Sequence, residues 1–458
     1  MPGSRRYDLV VVGGGPGGYP AAIHAARAGL RVALVEERAL GGECTNYGCI
    51  PSKALHRLAE AASVASRIAR VEVDARKALE EARRVVARLR SGLESLMEGY
   101  GVEVLRARAR LRSGRAVEAG GSVLEAERIV LAPGTVPAYP PGLEPDGRLV
   151  HDNRSIVSLE DLPSRLLVVG GGPAGVEYAE TMARLGAEVT LVEMMPRLLP
   201  SMDRDLSLAA RRVLRELGVR VYTSTRVAGL ERHGDTVVAV LDKGERLEVD
   251  AVLVVTGRRP ATRGLGLEEL GVEVDEKGYI RVDERMATSA PGVYAAGDAT
   301  GPPLLAHKAM AQSIVAGVNA AGGNAAYKPR AVPLVVYTEP ELLQVGYTLE
   351  EARRAGYDAA EARIRLGGVA SAVIEGAEAG LVKLVYDRRS LKLLGVVIAA
   401  PRASEIAGEA ALAVERGLTL EEVAGLIHPH PSLVEALGEA AAAALGRPTH
   451  YLVKRRGR

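Results

Sequence analysis

The chain has 458 residues, with 59 Lys and Arg against 57 Asp and Glu and a formal net charge of +2. So even a balance gives no general case for nucleic acid or an anionic membrane as partner. The length suggests roughly three domains at ~150 residues each, and no apolar run approaches the ~18 residues of a membrane span. No apolar segment of signal-peptide type precedes the first strand, so the expected location is the cytoplasm. The basic tail, Lys454 to Arg458, reads as a solvated end. Phe and Trp are absent, so Tyr carries every aromatic role, and Asn and Gln are scarce beside Arg, Glu and Ala. That bias suits a thermophile, which the melting temperature tests.

In chain order, Tyr7-Asp-Leu-Val-Val-Val12 is a short apolar run of buried-strand type. Gly13-Gly-Gly15-Pro-Gly-Gly18 follows, then helical sequence to Gly29 and a second strand, Val32-Ala-Leu-Val-Glu36. Strand, glycine turn, helix, strand and acid together make a dinucleotide fingerprint. Gly13, Gly15 and Gly18 permit the tight turn and the approach of a pyrophosphate to the helix N-terminus. Glu36 accepts hydrogen bonds from a ribose. Pro20 removes a helical N–H, at a place in the first turn or so where that loss is tolerable.

Both cysteines of the chain lie in Gly41-Gly-Glu-Cys44-Thr-Asn-Tyr-Gly-Cys49-Ile-Pro-Ser-Lys53. Three readings compete: an inert disulfide, half a metal site, and a redox-active dithiol. A disulfide over so small a loop restrains the unfolded chain little, and zinc needs about four ligands where only two thiols exist. The redox reading is favoured, since paired thiols in an intracellular setting are usually catalytic. Residues five apart on a regular helix are separated by roughly 7.5 Å of rise, whereas a disulfide wants its Cα atoms within about 4.4–6.8 Å. The segment is therefore expected to be distorted at Gly48 and Pro51, with helix from Ser52 onward.

Gly-Gly-x-Cys-x4-Cys-Ile-Pro-Ser-Lys resembles the active-site signature of the flavoprotein disulfide reductases, the pyridine nucleotide-disulfide oxidoreductase family. Further matches extend the resemblance from residue 7 to about 446. It implies FAD on the first fingerprint, with Gly42 and Lys53 beside it. Cys44 becomes the exposed interchange sulfur and Cys49 the flavin-side sulfur. Glu43 stands where the family commonly has Thr, and its charge is expected to raise the Cys44 pKa.

Residues 75–98 read as a long helix with a solvated face. Ala132-Pro133-Gly134 stands where the family has Ala-Thr-Gly beside FAD, so only Gly134 is carried over. Pro and Gly cluster from 137 to 147, marking a boundary. A second fingerprint then runs from Gly170, Gly172 and Gly175 to Glu193, offset by 157 residues, with the same 23-residue interval from first glycine to acid. Two copies imply two dinucleotide cofactors; the resemblance orders them FAD, then nicotinamide. Glu193 favours NAD, because a carboxylate repels a 2′-phosphate; of the two readings of nearby Arg197, a moderating charge or a surface or strand-capping residue, the second is favoured. By the same resemblance Glu177 pairs with Lys53 beside the flavin, and Gly257 lies at the exit from the nicotinamide domain. Gly297-Asp298 resembles the second FAD motif, with Asp298 on the ribityl chain. Ala306 starts a helix under the flavin, where His307 is structural. Met310-Ala-Gln-Ser departs from the acidic residues that lipoamide-linked members carry there.

From Val332 onward, alternating strands followed by Ala-rich helices suggest an α+β domain, which the resemblance makes the dimerisation domain of a homodimer. Within His428-Pro-His430-Pro-Ser-Leu-Val-Glu435, the resemblance makes His430 the base, oriented by Glu435 and facing the other subunit's cysteines; His428 is a channel or structural residue. The expected fold is α/β, with two Rossmann-like domains and the α+β domain. Residues 1–145 carry FAD and the cysteine pair, 146–268 carry NAD, 269–330 complete the FAD site, and 331–458 form the dimerisation domain. The lipoamide-linked branch implies oxidation of protein-bound dihydrolipoyl groups, with hydride passed to NAD⁺. Its partner is a lipoyl-bearing acyltransferase of a 2-oxoacid dehydrogenase or glycine cleavage system; no metal is expected. An NAD(P)H-dependent reductase of a glutathione-like disulfide is the main rival, opposed by Glu193 and the His-Pro-His-Pro-Ser-Leu run. A mercuric reductase is disfavoured by the lack of a C-terminal cysteine pair. A non-catalytic flavoprotein subunit is opposed by the intact Cys44, Cys49, His430 and Glu435.

Overall fold

The computed structural model describes residues 5–112 and 115–452, so the basic segment 454–458 lies outside the described residues. In chain order the elements begin with β1 (Arg5–Val12), α1 (Tyr19–Arg27), β2 (Val32–Glu36), α2 (Gly42–Tyr47), α3 (Cys49–Ala65) and α4 (Ala75–Gly99). Next come β3 (Glu103–Arg106), β4 (Ala109–Arg112), β5 (Ala116–Ala119), β6 (Ser122–Leu131), β7 (Thr135–Pro137), β8 (Val150–His151) and α5 (Asn153–Ile156). The middle of the chain supplies β9 (Arg165–Val169), α6 (Pro173–Arg184), β10 (Glu188–Val192), α7 (Arg204–Glu216) and β11 (Arg220–Tyr222). After these run β12 (Val227–His233), β13 (Thr236–Leu241), β14 (Arg246–Val249), β15 (Ala251–Val254), β16 (Arg258–Pro260), β17 (Val293–Ala295) and α8 (Ala306–Ala320). The remainder holds β18 (Leu334–Val336), β19 (Glu341–Gly346), α9 (Leu349–Arg354), β20 (Ala359–Arg365) and α10 (Ala370–Glu375). It ends with β21 (Leu381–Asp387), β22 (Leu393–Ala400), α11 (Ala403–Arg416), α12 (Leu420–Ala424) and α13 (Glu435–Ala444).

The chain divides into two compact units. One gathers the described residues to Leu58 with Asp74–Leu162 and Leu253–Lys328; the other gathers Ala59–Val73, Pro163–Val252 and the described residues from Pro329. In the first unit, β1 is the axis of a seven-stranded sheet, with β2 parallel on one side (Leu9↔Val32) and β6 parallel on the other (Val10↔Ile129). Leu9 to Val12 are all buried, which is why this strand reads as a continuous apolar run rather than an alternation. Helix α1 lies close against α8: a Cβ on Gly317 would stand 2.6 Å from the carbonyl oxygen of Ala21. The Ser313 hydroxyl accepts the Ala21 N–H at 2.9 Å, satisfying a donor that the first turn of a helix leaves open. Pro20 sits in that same first turn, where its missing N–H costs nothing.

In the second unit, β9–α6–β10 repeats β1–α1–β2, with β9 and β10 parallel (Leu166↔Val189) and β11 parallel beyond β10. Strands β12, β13 and β14 form an antiparallel meander. Strands β18-β19-β22-β21-β20 form an antiparallel sheet, whose strand β22 is buried at every position. Ala407, Ala410, Ala436 and Ala440 pack with Leu343, Val396 and Ile398 in one core; their small side chains let the helices approach the sheet closely. The fold is α/β with two dinucleotide-type βαβ units and a C-terminal α+β portion. Among the described residues, no helix is long and apolar enough to cross a membrane.

One buried carboxylate makes the second unit pH-sensitive. Glu180 on α6 is fully buried; its Oε1 accepts Arg184 Nε at 2.8 Å and the Glu339 N–H at 2.9 Å, while Oε2 has no hydrogen-bond partner among the described residues. Burial pushes this carboxyl up to about 7, against the pull of Arg184. Between its unfolded value and 7 the native state holds a proton that the unfolded chain has released, so stability is greatest on the acid side and falls as pH rises through that window. The effect is on the order of 2–3 kcal/mol. Urea unfolding from pH 5 to pH 8 is expected to show that decline, to which Glu339, its carboxyl also pushed up to about 7 by burial, adds. Glu180→Gln is expected to make the slope shallower, and an unchanged slope in the variant refutes the assignment.

Candidate active site

The cysteine segment folds as two helices with one break. Gly41 in the left-handed region (φ 89°) precedes α2, and Gly48 (φ −128°, ψ −102°) separates α2 from α3. The second helix thus starts at Cys49 rather than at Ser52: a single non-helical glycine provides the whole distortion. Buried Asn46 donates to the carbonyls of Leu40 and Gly42, both at 2.9 Å, and Ser52 Oγ donates to the carbonyl of Gly48 at 2.8 Å. Asn46 and Ser52 therefore fix the backbone on either side of the break.

Cys44 and Cys49 are both thiols and hydrogen-bond partners of each other. The hydrogen bond with Cys49, then burial, push the Cys44 thiol far above its ordinary value; Lys53 pulls it down and Asp298 adds to the rise. A thiol held protonated in this way needs a partner base if it is to exchange at neutral pH.

The glycine turn, α2 and the Gly297 loop converge. Gly13 has φ +101°, and a Cβ there would overlap the carbonyl of Ala132. A Cβ on Gly42 would lie 2.7 Å from Gly15 Cα, and one on Gly297 would lie 3.1 Å from Gly17 Cα. At Gly15, however, an added Cβ would meet only Gly42 Cα at 3.6 Å, and at the equivalent Gly172 nothing within 4 Å. Packing of the chain does not demand glycine at those two positions. A pyrophosphate lying against the turn does, so the residues present fit a dinucleotide in each half. Gly134 and Gly257 flank the β7–β16 ladder: Gly134 O accepts from the Ala261 N–H and Gly257 O from the Ala138 N–H, both at 3.0 Å. Ala306 is the first residue of α8.

The two acids behave alike. Glu36 accepts the N–H of Gly14 and of Arg38, both at 2.7 Å; Glu193 accepts the N–H of Gly171 at 2.5 Å and of Met195 at 2.6 Å. Each acid binds its own turn and still has lone pairs for a ribose. Arg197, near Glu193 in sequence, gives its Nη2 to the carbonyl of Pro200 at 2.8 Å.

Asp298 is held by residues that sequence reasoning passed over. Thr135, one position after Gly134, donates its hydroxyl to Asp298 Oδ2 at 3.2 Å, and Arg258 donates through Nε to Thr135 Oγ1 at 2.7 Å. Burial raises the Asp298 carboxyl, opposed by Arg258, Thr135 and buried Lys308. Gln312, in the stretch that departs from the acidic pattern, accepts the Gly297 N–H at 3.0 Å. That departure is absorbed by two jobs, Gln312 on the Gly297 loop and Ser313 on α1.

Glu43 is not the bare charge that sequence suggested. Its carboxylate accepts Arg154 Nη2 at 2.8 Å and Asn153 Nδ2 at 2.8 Å, and lies 3.5 Å from Arg258 Nη2. Burial pushes this carboxyl up, but Arg154, Arg258 and Asn153 together bring it below the ordinary carboxylate value. Gly257 was singled out in the sequence but its neighbour Arg258 was not, and Asn153 and Arg154 carried no signal there.

In the second unit, His430 Nδ1 lies 2.9 Å from Glu435 Oε1, and Glu435 Oε2 accepts the Ser432 N–H at 2.7 Å. Burial opposes ionisation of Glu435, yet the hydrogen bonds from His430 and Ser432 leave its carboxyl below the ordinary value. His428 Nε2 lies 3.0 Å from Glu409 Oε1 on α11 and is largely buried, a structural placement. Glu177 Oε1 accepts the Tyr337 N–H at 3.0 Å. Lys53 belongs to the first unit and Glu177, Gly170, Gly172, Gly175 and Glu193 to the second.

The profile of the pyridine nucleotide-disulphide oxidoreductases matches residues 7–313, and the dimerisation domain of the same family matches residues 332–441. The chain belongs to this family. As a pyridine nucleotide-disulphide oxidoreductase it uses FAD and NAD and carries a domain for pairing with a second copy. It is 44% identical to the dihydrolipoyl dehydrogenase of Thermus scotoductus, over 98% of this chain and 99% of that one. It is 39% identical to the dihydrolipoyl dehydrogenase of Chlorobaculum parvum, over 96% and 98%. Among solved structures, LpdA from Mycobacterium tuberculosis superposes with a TM-score of 0.89 at 30% identity, covering 96% of this chain and 99% of that one.

Proposed function

We propose that this disulphide oxidoreductase oxidises protein-bound dihydrolipoyl groups and reduces NAD⁺, acting in the cytoplasm as a homodimer beside a lipoyl-bearing acyltransferase of a 2-oxoacid dehydrogenase or glycine cleavage system. The observation that carries the reading is a hydrogen-bonded thiol pair in one unit, together with a histidine tethered to a carboxylate in the other. Full-length similarity to dihydrolipoyl dehydrogenases supports the choice of substrate. The FAD-binding region is assigned to residues 1–145, the NAD region to 146–268, the segment completing the FAD site to 269–330, and the dimerisation region to 331–458.

An ionised Glu435 only accepts, so His430 donates through Nδ1 and keeps Nε2 as the base. In the proposed sequence, Nε2 of a partner copy's His430 takes a proton from one substrate thiol, and the thiolate attacks Cys44 Sγ. The Cys44–Cys49 bond breaks and Cys49 leaves as thiolate at the start of α3, where the helix end favours negative charge. The second substrate thiol, deprotonated in turn, displaces Cys44 from the mixed disulfide. The substrate leaves as a cyclic disulfide and the enzyme retains two reduced sulfurs. Bound FAD supplies the electron acceptor for this pair and NAD⁺ the final carrier. Lys53, with Glu177, is assigned to orient and charge-balance the flavin side; Gly134, Gly257, Gly297, Asp298 and Ala306 border the FAD.

Steady-state assay of the FAD-loaded protein with dihydrolipoamide, using NAD⁺ and NADP⁺ in parallel, tests the proposal. Glu193 and the engagement of Arg197 with Pro200 favour strong NAD⁺ reduction. Turnover with NADP⁺ alone, or none with dihydrolipoamide, overturns the substrate and cofactor choice.

A further inference from the structure

We infer that Glu43, Arg154 and Arg258 form a charge cluster that sets the redox equilibrium of the Cys44–Cys49 pair; this rests on the dithiol reading of that pair. Glu43 immediately precedes Cys44 in the first turn of α2, so their Cα atoms are about 3.8 Å apart. Arg154 reaches the carboxylate with Nε 3.0 Å from each oxygen and Nη2 2.8 Å from Oε2, and Asn153 donates at 2.8 Å. Arg258 stands 3.5 Å away and is itself fixed on Thr135, which leads to Asp298. The side chains of Glu43, Arg154 and Arg258 are all about three-quarters buried, at 25%, 20% and 23% exposure.

A mechanical anchor for α2 already exists without this charge. Asn153 also donates to the carbonyl of Tyr47 at 3.0 Å, tying α5 to the end of α2. The second guanidinium adds nothing to that anchor, but it leaves two cations around the one carboxylate of the residue that precedes Cys44. Oxidation of the pair removes two electrons and two protons and converts a form able to carry a thiolate into a neutral disulfide. Neighbouring cations therefore favour the reduced pair, and a neighbouring carboxylate favours the disulfide. Charges this far out of water are weakly screened. Removing Glu43 and removing Arg154 break the same ion pair, yet their electrostatic effects on the dithiol are opposite in sign.

The test equilibrates the FAD-loaded enzyme anaerobically with graded ratios of dihydrolipoamide to lipoamide. Here one substrate dithiol and the enzyme disulfide exchange for one substrate disulfide and two enzyme thiols. Acid quench, alkylation and mass measurement then count thiols. The chain has only two cysteines, so the oxidised pair reads zero labels, the reduced pair two, and the mixed disulfide with substrate one with the substrate's added mass. Glu43→Gln is expected to shift the equilibrium about tenfold toward the reduced pair, ~30 mV for a two-electron couple. It also moves the pH profile of alkylation of the reduced enzyme to lower pH. Arg154→Met is expected to shift both readouts the other way, and the double variant to return them toward the parent, which guards against misfolding of either single one. Both single variants moving in the same direction, or neither moving, overturns the inference and leaves the cluster a structural clamp. A parent enzyme that never converts between zero and two labels overturns the dithiol reading itself.

Discussion

Cys44→Ser is expected to lower NAD⁺-linked oxidation of dihydrolipoamide by on the order of 10⁴-fold or more, the scale of losses on removing a catalytic nucleophile. The remaining Cys49 has no partner with which to form an internal disulfide, since these are the only two thiols in the chain. The substitution is nearly isosteric at a half-buried position on the short helix α2, so the fold is expected to persist. Circular dichroism and retention of flavin colour check that directly. A variant that keeps more than about a tenth of the parent rate would remove the dithiol from the mechanism. Cys49→Ser is expected to show a loss of similar size, because the two sulfurs act as one unit.

His430→Ala is expected to reduce the same rate by about 10²–10⁴-fold, the usual worth of a positioned acid–base group. Glu435 sharpens the expectation. Its carboxyl is held below the ordinary value by His430 and the Ser432 N–H, against burial. It therefore stays ionised on the acid side of its unfolded value, and its support for His430 is lost only when pH falls through the lowered native value. Across the working range the tether is intact, so Glu435→Gln is expected to reduce the rate at every pH rather than only at one end. A profile that loses activity on the alkaline side alone would contradict this role for Glu435.

What was legible in the sequence was local. Gly13, Gly15 and Gly18, with the strands around them, lie within thirty residues, and the copy at Gly170, Gly172 and Gly175 confirms the period. His430 and Glu435 are five residues apart, so one turn of chain brings them together. The break at Gly48 was anticipated, although the restart of helix at Cys49 was placed too late. What was hidden was long-range. Arg154 meets Glu43 across a separation of 111 residues, and Thr135 meets Asp298 across 163. No hydrophobic period or capping pattern encodes such a pair; the packing of distant segments creates it. Glu180 and Glu339 were silent for the same reason. An acid on a helix reads as solvated until a turn from far along the chain, here the one between β18 and β19, closes over it.

The back-bonding of Glu36 and Glu193 onto their own glycine turns has a thermodynamic corollary. Each loop is already braced by its acid through the N–H of Gly14 or Gly171 and the N–H two residues past the acid. Little backbone disorder then remains to be frozen when a nucleotide arrives. Association with such a rigid receptacle sacrifices less entropy than association with a floppy one, so more of the contact energy survives as affinity. The two halves are ready-made moulds, each set by a single carboxylate before the nucleotide enters.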